Sequence, residues 1–466
     1  MRRLFSLRPG WGLLALAGLL AADAILWSRS FGRAANFDEG GYTVALEALR
    51  DGQALGEEVF LVQPPLFYNL LQALGALIGP SFDELRAGML VVSLVGVAAA
   101  FVLGRAFGGD WAGLGAAAVY SVTPPFPANA PLIEADPPAV TLALVALAFA
   151  VHGYGRGRSG TLAYLAGAAI AASILVKLFT VTAFAPLVAL AIWKRATTRQ
   201  LVLTLAGGLS VLVLTVLPHL GALSELWDGV VGGHLEQREI DAPSHLDNAE
   251  RLLDFVDPRT PASYFLLAAI LVSLWRRPPG IWTLWTWTAA SIAFTIAMRP
   301  LLDHHLVLLA AAAAVPAGAT LGYAVSSLRV RLRVVALGAA AFVALAGGAQ
   351  QFRQAERNNV DERPRTLWAA RVIEAETEPG ERIVTDIPTV AVLADRRVPG
   401  FLVDVSWGRV VSGALNKDNV IETIEENDVD AVVVGRMLRV SPGLADELRA
   451  RFPDRRRFDG VTIYLR

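Results

Sequence analysis

The 466-residue chain contains no cysteine. Disulfides, thiolate nucleophiles and cysteine metal sites are therefore excluded. Lysine is nearly as scarce: Lys177, Lys194 and Lys417 are the only ones, and arginine carries the rest of the basic charge. Charged residues make up just 18% of the chain and the formal net charge is −1, so nothing draws it to nucleic acid in general. The sequence also lacks a solenoid repeat and a low-complexity linker, and its C-terminal tail lacks a Gly-rich phosphate loop and a dinucleotide fingerprint.

What is present is apolar sequence in blocks. The chain is 54% hydrophobic with a mean hydropathy of +0.48, too apolar for a soluble protein of this length. The blocks run to about 16–22 residues, the length that crosses a bilayer as helix. The fold class expected is a polytopic α-helical membrane protein of about eleven spans with a small C-terminal α/β extracytoplasmic domain. The spans are placed at 11–29, 87–106, 110–126, 137–153, 161–176, 178–193, 200–219, 262–275, 280–298, 304–325 and 334–349. Residues 1–28 have the basic start and apolar run of a signal peptide. They lack a clean small-x-small cleavage site before a soluble domain, so they read as a retained first helix.

Basic residues set the orientation. Arg2, Arg3 and Arg8, then Arg105, Arg156 and Arg158, Lys194, Arg195 and Arg199, Arg276 and Arg277, and Arg329, Arg331 and Arg333 fall on alternate connections. Those connections are assigned to the cytoplasm. The opposite connections are acidic, with Asp38, Glu39, Glu47, Asp51, Glu57, Glu58, Asp83, Glu84, Glu134 and Asp136. The expectation is a cytoplasmic N-terminus and an extracytoplasmic tail. Arg-, Ala- and Gly-rich usage points to a GC-rich bacterial genome, and the expected location is the bacterial cytoplasmic (inner) membrane. Two domains follow: a transmembrane domain over 1–350, carrying the outer loop 30–86, and a soluble α/β domain over 351–466.

The outer loop 30–86 holds an amphipathic stretch from Tyr42 to Arg50, with Gly52 as its stop signal. A second apolar stretch, Leu66 to Ile78, is too short to span and is expected to lie along the interface. In the tail, Arg382–Asp386, Phe401–Val405, Ala431–Val434 and Val461–Leu465 read as strands. Thr389–Ala394, Asn419–Glu426 and Gly443–Arg451 read as helices.

Chemistry concentrates at the outer ends of the spans. Phe37-Asp38-Glu39-Gly40-Gly41-Tyr42 follows the first one. Asp38 has two readings, a general base or the N-cap of a helix beginning near Tyr42. Glu134 and Asp136 sit among Pro124, Pro125, Pro127, Pro137 and Pro138, which forbid a regular helix there. Asp136 reads either as a site carboxylate or as the cap of the following span, with Pro137 at its first position. Arg86, Lys177, Arg299, His304 and His305 also lie at outer ends. They read as a phosphate clamp or as side chains snorkelling to headgroups. Two adjacent histidines without i, i+4 spacing are weak evidence for a metal. Asp386 and Asp404 end expected strands in the tail, where turn-forming Asp is ordinary.

This pattern resembles the GT-C membrane glycosyltransferases, in the branch containing protein O-mannosyltransferases and the lipid A aminoarabinose transferase. Asp38-Glu39-x-x-Tyr42 resembles the first-loop motif of that branch, and Gln63-Pro64-Pro65-Leu66 its Pro-Pro-Leu signature. Leu85-Arg86, Glu134-x-Asp136-Pro137, Lys177 and His304-His305 also fit, over roughly residues 10–325. Gln63 stands where many members carry a basic or other polar residue. The resemblance implies transfer of a sugar from a polyprenyl-phosphate donor to an acceptor hydroxyl on a protein, lipid or glycan, with inversion. By position it implies Asp38 as general base, with Glu39 and Asp136 as further catalytic candidates. Arg86, Lys177, Arg299, His304 and His305 are implied for the donor phosphate, and Glu134, Asp136, Tyr42 and Gln63 for the acceptor or a metal. A divalent cation is the one candidate cofactor. The competing class is a polytopic transporter or flippase. Against it, the ionisable residues gather at one membrane face and no internal repeat is evident.

Overall fold

The computed structural model describes residues 10–31, 35–233, 235, 245–254, 261–298, 301–328 and 364–466. Arg299, His234 and the expected span 334–349 lie outside them. The chain forms two compact units. One comprises residues 1–31, 86–214 and 243–354; the other comprises 32–85, 215–242 and 355–466. The outer loop thus clusters with the tail, whereas the sequence boundary at 350 groups it with the spans.

The first unit is built of apolar helices, as a membrane protein requires. Helix α1 covers Trp11–Trp27. The apolar stretch Phe82–Val122, α4, breaks at Gly108 and Gly109, whose backbone leaves helical geometry, and so accounts for two expected spans. Helices Asp136–Gly153, Gly160–Val176, Phe184–Lys194, Thr198–Val216, Pro261–Trp275, Trp282–Ala297 and Leu306–Ser326 follow. Among the described residues, five of the helical stretches are by themselves long and apolar enough to cross a bilayer. Lipid tails give no hydrophobic drive between helices, so close backbone approach through small residues takes its place. A Cβ on Gly115 would lie 2.1 Å from the Gly318 carbonyl oxygen, and one on Gly167 1.7 Å from that of Thr204. The Ala-rich helix Leu306–Ser326 is buried along nearly its whole length.

The second unit holds two loop helices and the tail. Helix α2 is Phe37–Arg50 and α3 is Pro65–Ile78, with Pro65 opening the latter, where its missing N–H costs nothing. Gly52, at φ +90°, turns the chain after α2. The tail is an α/β domain whose four strands, β1 Ile383–Thr385, β2 Ala431–Val434, β3 Asp454–Phe458 and β4 Val461–Leu465, lie in the order β1-β2-β4-β3. β1 and β2 are parallel, with Ile383 opposite Ala431. The other pairings are antiparallel, with Val432 opposite Tyr464 and Arg456 opposite Ile463.

Two tail expectations need correction. Phe401–Val405 is not a strand: Gly400–Leu402 forms a 3-10 turn. Its backbone partner is the outer loop, because Phe60 N donates to the Gly400 carbonyl at 3.0 Å. A side chain there is blocked by backbone, since a Cβ on Gly400 would lie 2.5 Å from the Glu58 carbonyl oxygen. Conversely, β3 went unread, because Asp454-Arg455-Arg456-Arg457 carries no apolar alternation. It is an exposed edge strand, and charge on such an edge blocks further pairing. The signal was Asp459-Gly460, both at positive φ, the two-residue turn that joins β3 to β4.

Candidate functional site

In the second unit, Asn36 and not Asp38 caps α2. The Asn36 side chain accepts from Glu39 N at 2.8 Å, and Glu39 Oε2 accepts from Asn36 N at 3.2 Å. This reciprocal box satisfies two amides at the helix start. The capping explanation of Asp38 is thereby overturned, and Glu39, 1% exposed, has a structural task. Asp38 lies in the first turn, half-buried, and its carboxylate makes no hydrogen bond or ion pair among the described residues.

The aromatic residues behind it are fixed in place. The Tyr42 hydroxyl accepts from Gln63 Nε2 at 3.0 Å, and its ring meets Phe67 edge-on at 4.7 Å. Two candidates read separately, Tyr42 and Gln63, are therefore bonded to each other. The Tyr68 hydroxyl accepts from Val62 N at 3.2 Å, and burial pushes its ionisation well up.

The tail contributes a cluster to which the sequence reading gave no role. Asp404 is buried and its carboxyl is held above the usual range, first by burial, with Asp38 adding to the rise and Arg409 opposing it. Arg409 donates from Nη1 to the carbonyls of Phe401 at 2.8 Å and Asp404 at 2.6 Å. Its guanidinium lies 3.7 Å from the Phe60 ring centroid, and burial lowers its pKa to about 10. Asp386, by contrast, accepts from the amides of Gly435, Arg436 and Leu438 at 2.7, 2.7 and 2.9 Å, which is turn construction.

In the first unit, Asp136 begins its helix but Ala135 occupies the N-cap position, and no side chain caps the turn. Its carboxylate instead accepts from Lys177 Nζ at 3.0 Å, with side-chain exposures of 4% and 5%. Lys177 ends the helix Gly160–Val176 in extended backbone, which turns its side chain off the helix path. Its Nζ also lies 5.1 Å from the Phe179 ring centroid. That ring meets His305 edge-on at 4.8 Å, and His305 meets His304 at 4.3 Å. The structure thus brings Asp136, Lys177, His305 and His304 into one chain of contacts. Arg86 is 1% exposed and donates to the Ser30 carbonyl at 3.5 Å, which does not fit a snorkelling side chain. Glu134 is buried too. Among the described residues no three His, Asp or Glu are grouped to hold a metal. Asp23, buried within α1, is a further acid the sequence reading passed over inside an apolar run.

Residues 62–221 match the family model of dolichyl-phosphate-mannose-protein mannosyltransferases. Comparison with curated proteins gives no sequence match. Among solved structures, ArnT from Cupriavidus metallidurans bound to undecaprenyl phosphate superposes with a TM-score of 0.72 at 14% identity, covering 98% of each chain. The fold is that of the GT-C membrane glycosyltransferases. The same ArnT in its apo state gives 0.71 at 14% identity, over 98% of this chain and 97% of that one. The Archaeoglobus fulgidus oligosaccharyltransferase in its apo form gives 0.56 at 16% identity, over 92% of this chain and 70% of that one. The resemblance to the protein O-mannosyltransferase and aminoarabinose transferase branch, read from the first-loop motif, therefore holds both in the family model and in the GT-C fold.

Proposed function

We propose that this chain is a membrane glycosyltransferase that moves a sugar from a polyprenyl-phosphate donor to an acceptor hydroxyl at the outer membrane face. The observation that carries the reading is Asp38: a half-buried carboxylate on a capped helix, with no hydrogen bond or ion pair among the described residues. A carboxylate so held is available to take a proton. The family-model match and the ArnT-like fold support a lipid-phosphate donor.

In the proposed step the acceptor oxygen attacks the sugar C1 from the face opposite the phosphate, inverting that carbon. Asp38 takes the hydroxyl proton as the new C1–O bond forms. The bond from C1 to the phosphate oxygen breaks, its electron pair leaves with the phosphate, and polyprenyl phosphate departs. No general acid is needed if the phosphate charge is met by fixed positive groups. Arg86, Lys177, His304, His305 and Arg299 are the candidates for that task. Glu134, Asp136, Tyr42 and Gln63 remain candidates for the acceptor or a divalent cation. The transporter or flippase reading gains no observation of its own.

The deciding experiment is Asp38→Asn in purified protein supplied with polyprenyl-phosphate sugars. Asn36 does the capping, so the change should leave folding intact. A base assignment requires turnover to fall by about 100-fold or more, the low end for a positioned base, with affinity for the lipid donor retained. Turnover within a few-fold of the parent would sink the mechanism.

A further inference from the structure

The Asp38 motif continues into Gly40 and Gly41, and the two glycines face the tail domain in different ways. An ideal Cβ on Gly40 would lie 2.7 Å from Thr389 N and 2.8 Å from Thr389 Oγ1. One on Gly41 would lie 3.6 Å from the Val403 carbonyl oxygen, an ordinary contact. Thr389 stands in the first turn of the helix Pro388–Ala394, and its hydroxyl reaches the Ala35 and Asn36 carbonyls at 3.5 Å each. The first turn of the tail helix therefore rests on the first turn of α2. The rest of α2 is gripped as well. Arg397 bonds Asp51 at 3.0 Å and reaches Glu47 at 3.8 Å, and Arg436 lies 5.1 Å from the Phe37 ring centroid. Burial holds the Asp404 carboxyl above its usual range, and the charge of Asp38 adds to that rise.

We propose that Gly40 and Thr389 are positioning residues: their close contact sets where α2 holds Asp38, so the tail domain is a working part of the transfer site. This rests on Asp38 being the base. A side chain at residue 40 would push α2 off the tail helix by about 0.7 Å, the gap between 2.7 Å and the 3.4 Å at which ordinary contact begins. A misplacement of about 1 Å at a reacting group can cost about 100-fold in rate. Ordinary helix propensity predicts the opposite, since Ala in place of Gly favours a helix by about 1 kcal/mol.

The test compares Gly40→Ala with Gly41→Ala in the full chain. Turnover, affinity for polyprenyl phosphate and thermal midpoint are measured for each, with Asp38→Asn run beside them. The expected result is a 10- to 100-fold fall in turnover for Gly40→Ala, with lipid-phosphate affinity within about 2-fold of the parent. Gly41→Ala should keep turnover within about 3-fold, because its Cβ meets ordinary contact. If Gly40→Ala does not fold, Thr389→Val tests the same contact: it keeps the bulk, removes the hydroxyl held against the α2 entry, and should lower turnover without changing lipid affinity. Equal effects at residues 40 and 41, or parental turnover in Gly40→Ala while Asp38→Asn is dead, would overturn the proposal. An active Asp38→Asn would instead overturn the base assignment beneath it.

Discussion

Lys177 donates from Nζ to Asp136 at 3.0 Å, and the two side chains are buried together although 41 residues separate them. Each residue alone had a plausible dull explanation, a snorkelling cation and a helix cap. The pair removes both, since neither role is the one its side chain performs. What remains is a pair held out of water, near two histidines, in a chain with only three lysines.

Removing one partner of such a pair leaves the other buried and uncompensated, at a cost of about 3–5 kcal/mol. Lys177→Met should therefore lower the thermal midpoint sharply, and Lys177→Met/Asp136→Leu should recover most of it. The informative readout is polyprenyl-phosphate affinity in the double variant. It should stay weak if Lys177 also meets the donor phosphate. Parental affinity there would leave the pair a purely structural device.

The capping box separates Asp38 from its neighbour. Asn36→Ala should cost about 1 kcal/mol of stability. Glu39→Gln keeps the box, since Gln serves at the third helical position as Glu does. It should leave the thermal midpoint near the parent's and reduce turnover far less than Asp38→Asn. Equal loss of turnover in the two carboxamide variants would return Glu39 to the chemistry.

The helical class, most helix positions and the first-loop motif were legible because apolar length and short polar motifs are local signals. The kink in α4 was legible as two spans because Gly108 and Gly109 interrupt the apolar run. What was not legible is pairing at long range. Nothing near Lys177 names Asp136, and nothing near Gly40 names Thr389. Val403–Val405 is apolar enough to suggest a strand, yet its neighbour Gly400 bonds the outer loop and takes that segment out of the sheet. The strand β3 was hidden for the opposite reason, its exposed charges masking a backbone ladder to β4.

Glu47, on α2, offers a pH test of how the tail meets the loop. Burial pushes its carboxyl up to about 7, and the 3.8 Å approach of Arg397 does not offset it. The folded state then keeps a proton that the unfolded chain releases above about 4.5. Stability from this group is whole below that value and drains away as pH rises to about 7. Glu47→Gln should match the parent near pH 4 and become progressively more stable than it up to pH 7, with a level difference beyond. A parent that gains on the variant as pH rises would show that the ion pair with Arg397 dominates after all.

Orientation underlies every role assigned above, because a polyprenyl-phosphate sugar and its acceptor must meet on one side of the membrane. Arginines on alternate connections argue that the acidic connections bearing Asp38, Glu134 and Asp136 face outward. The tail belongs to the same compact unit as residues 32–85, so the loop and the tail should report the same side. A periplasm-active reporter fused after Arg466 should be active, as should one inserted after Gly52, where the chain turns at positive φ in an exposed position. A reporter inserted after Arg156, on a basic connection, should be silent. Activity at Arg156 with silence at Arg466 would invert the topology and leave Asp38 on the wrong side for the proposed donor. Opposite outcomes at Gly52 and Arg466 would separate the outer loop from the tail and break the contact between Gly40 and Thr389.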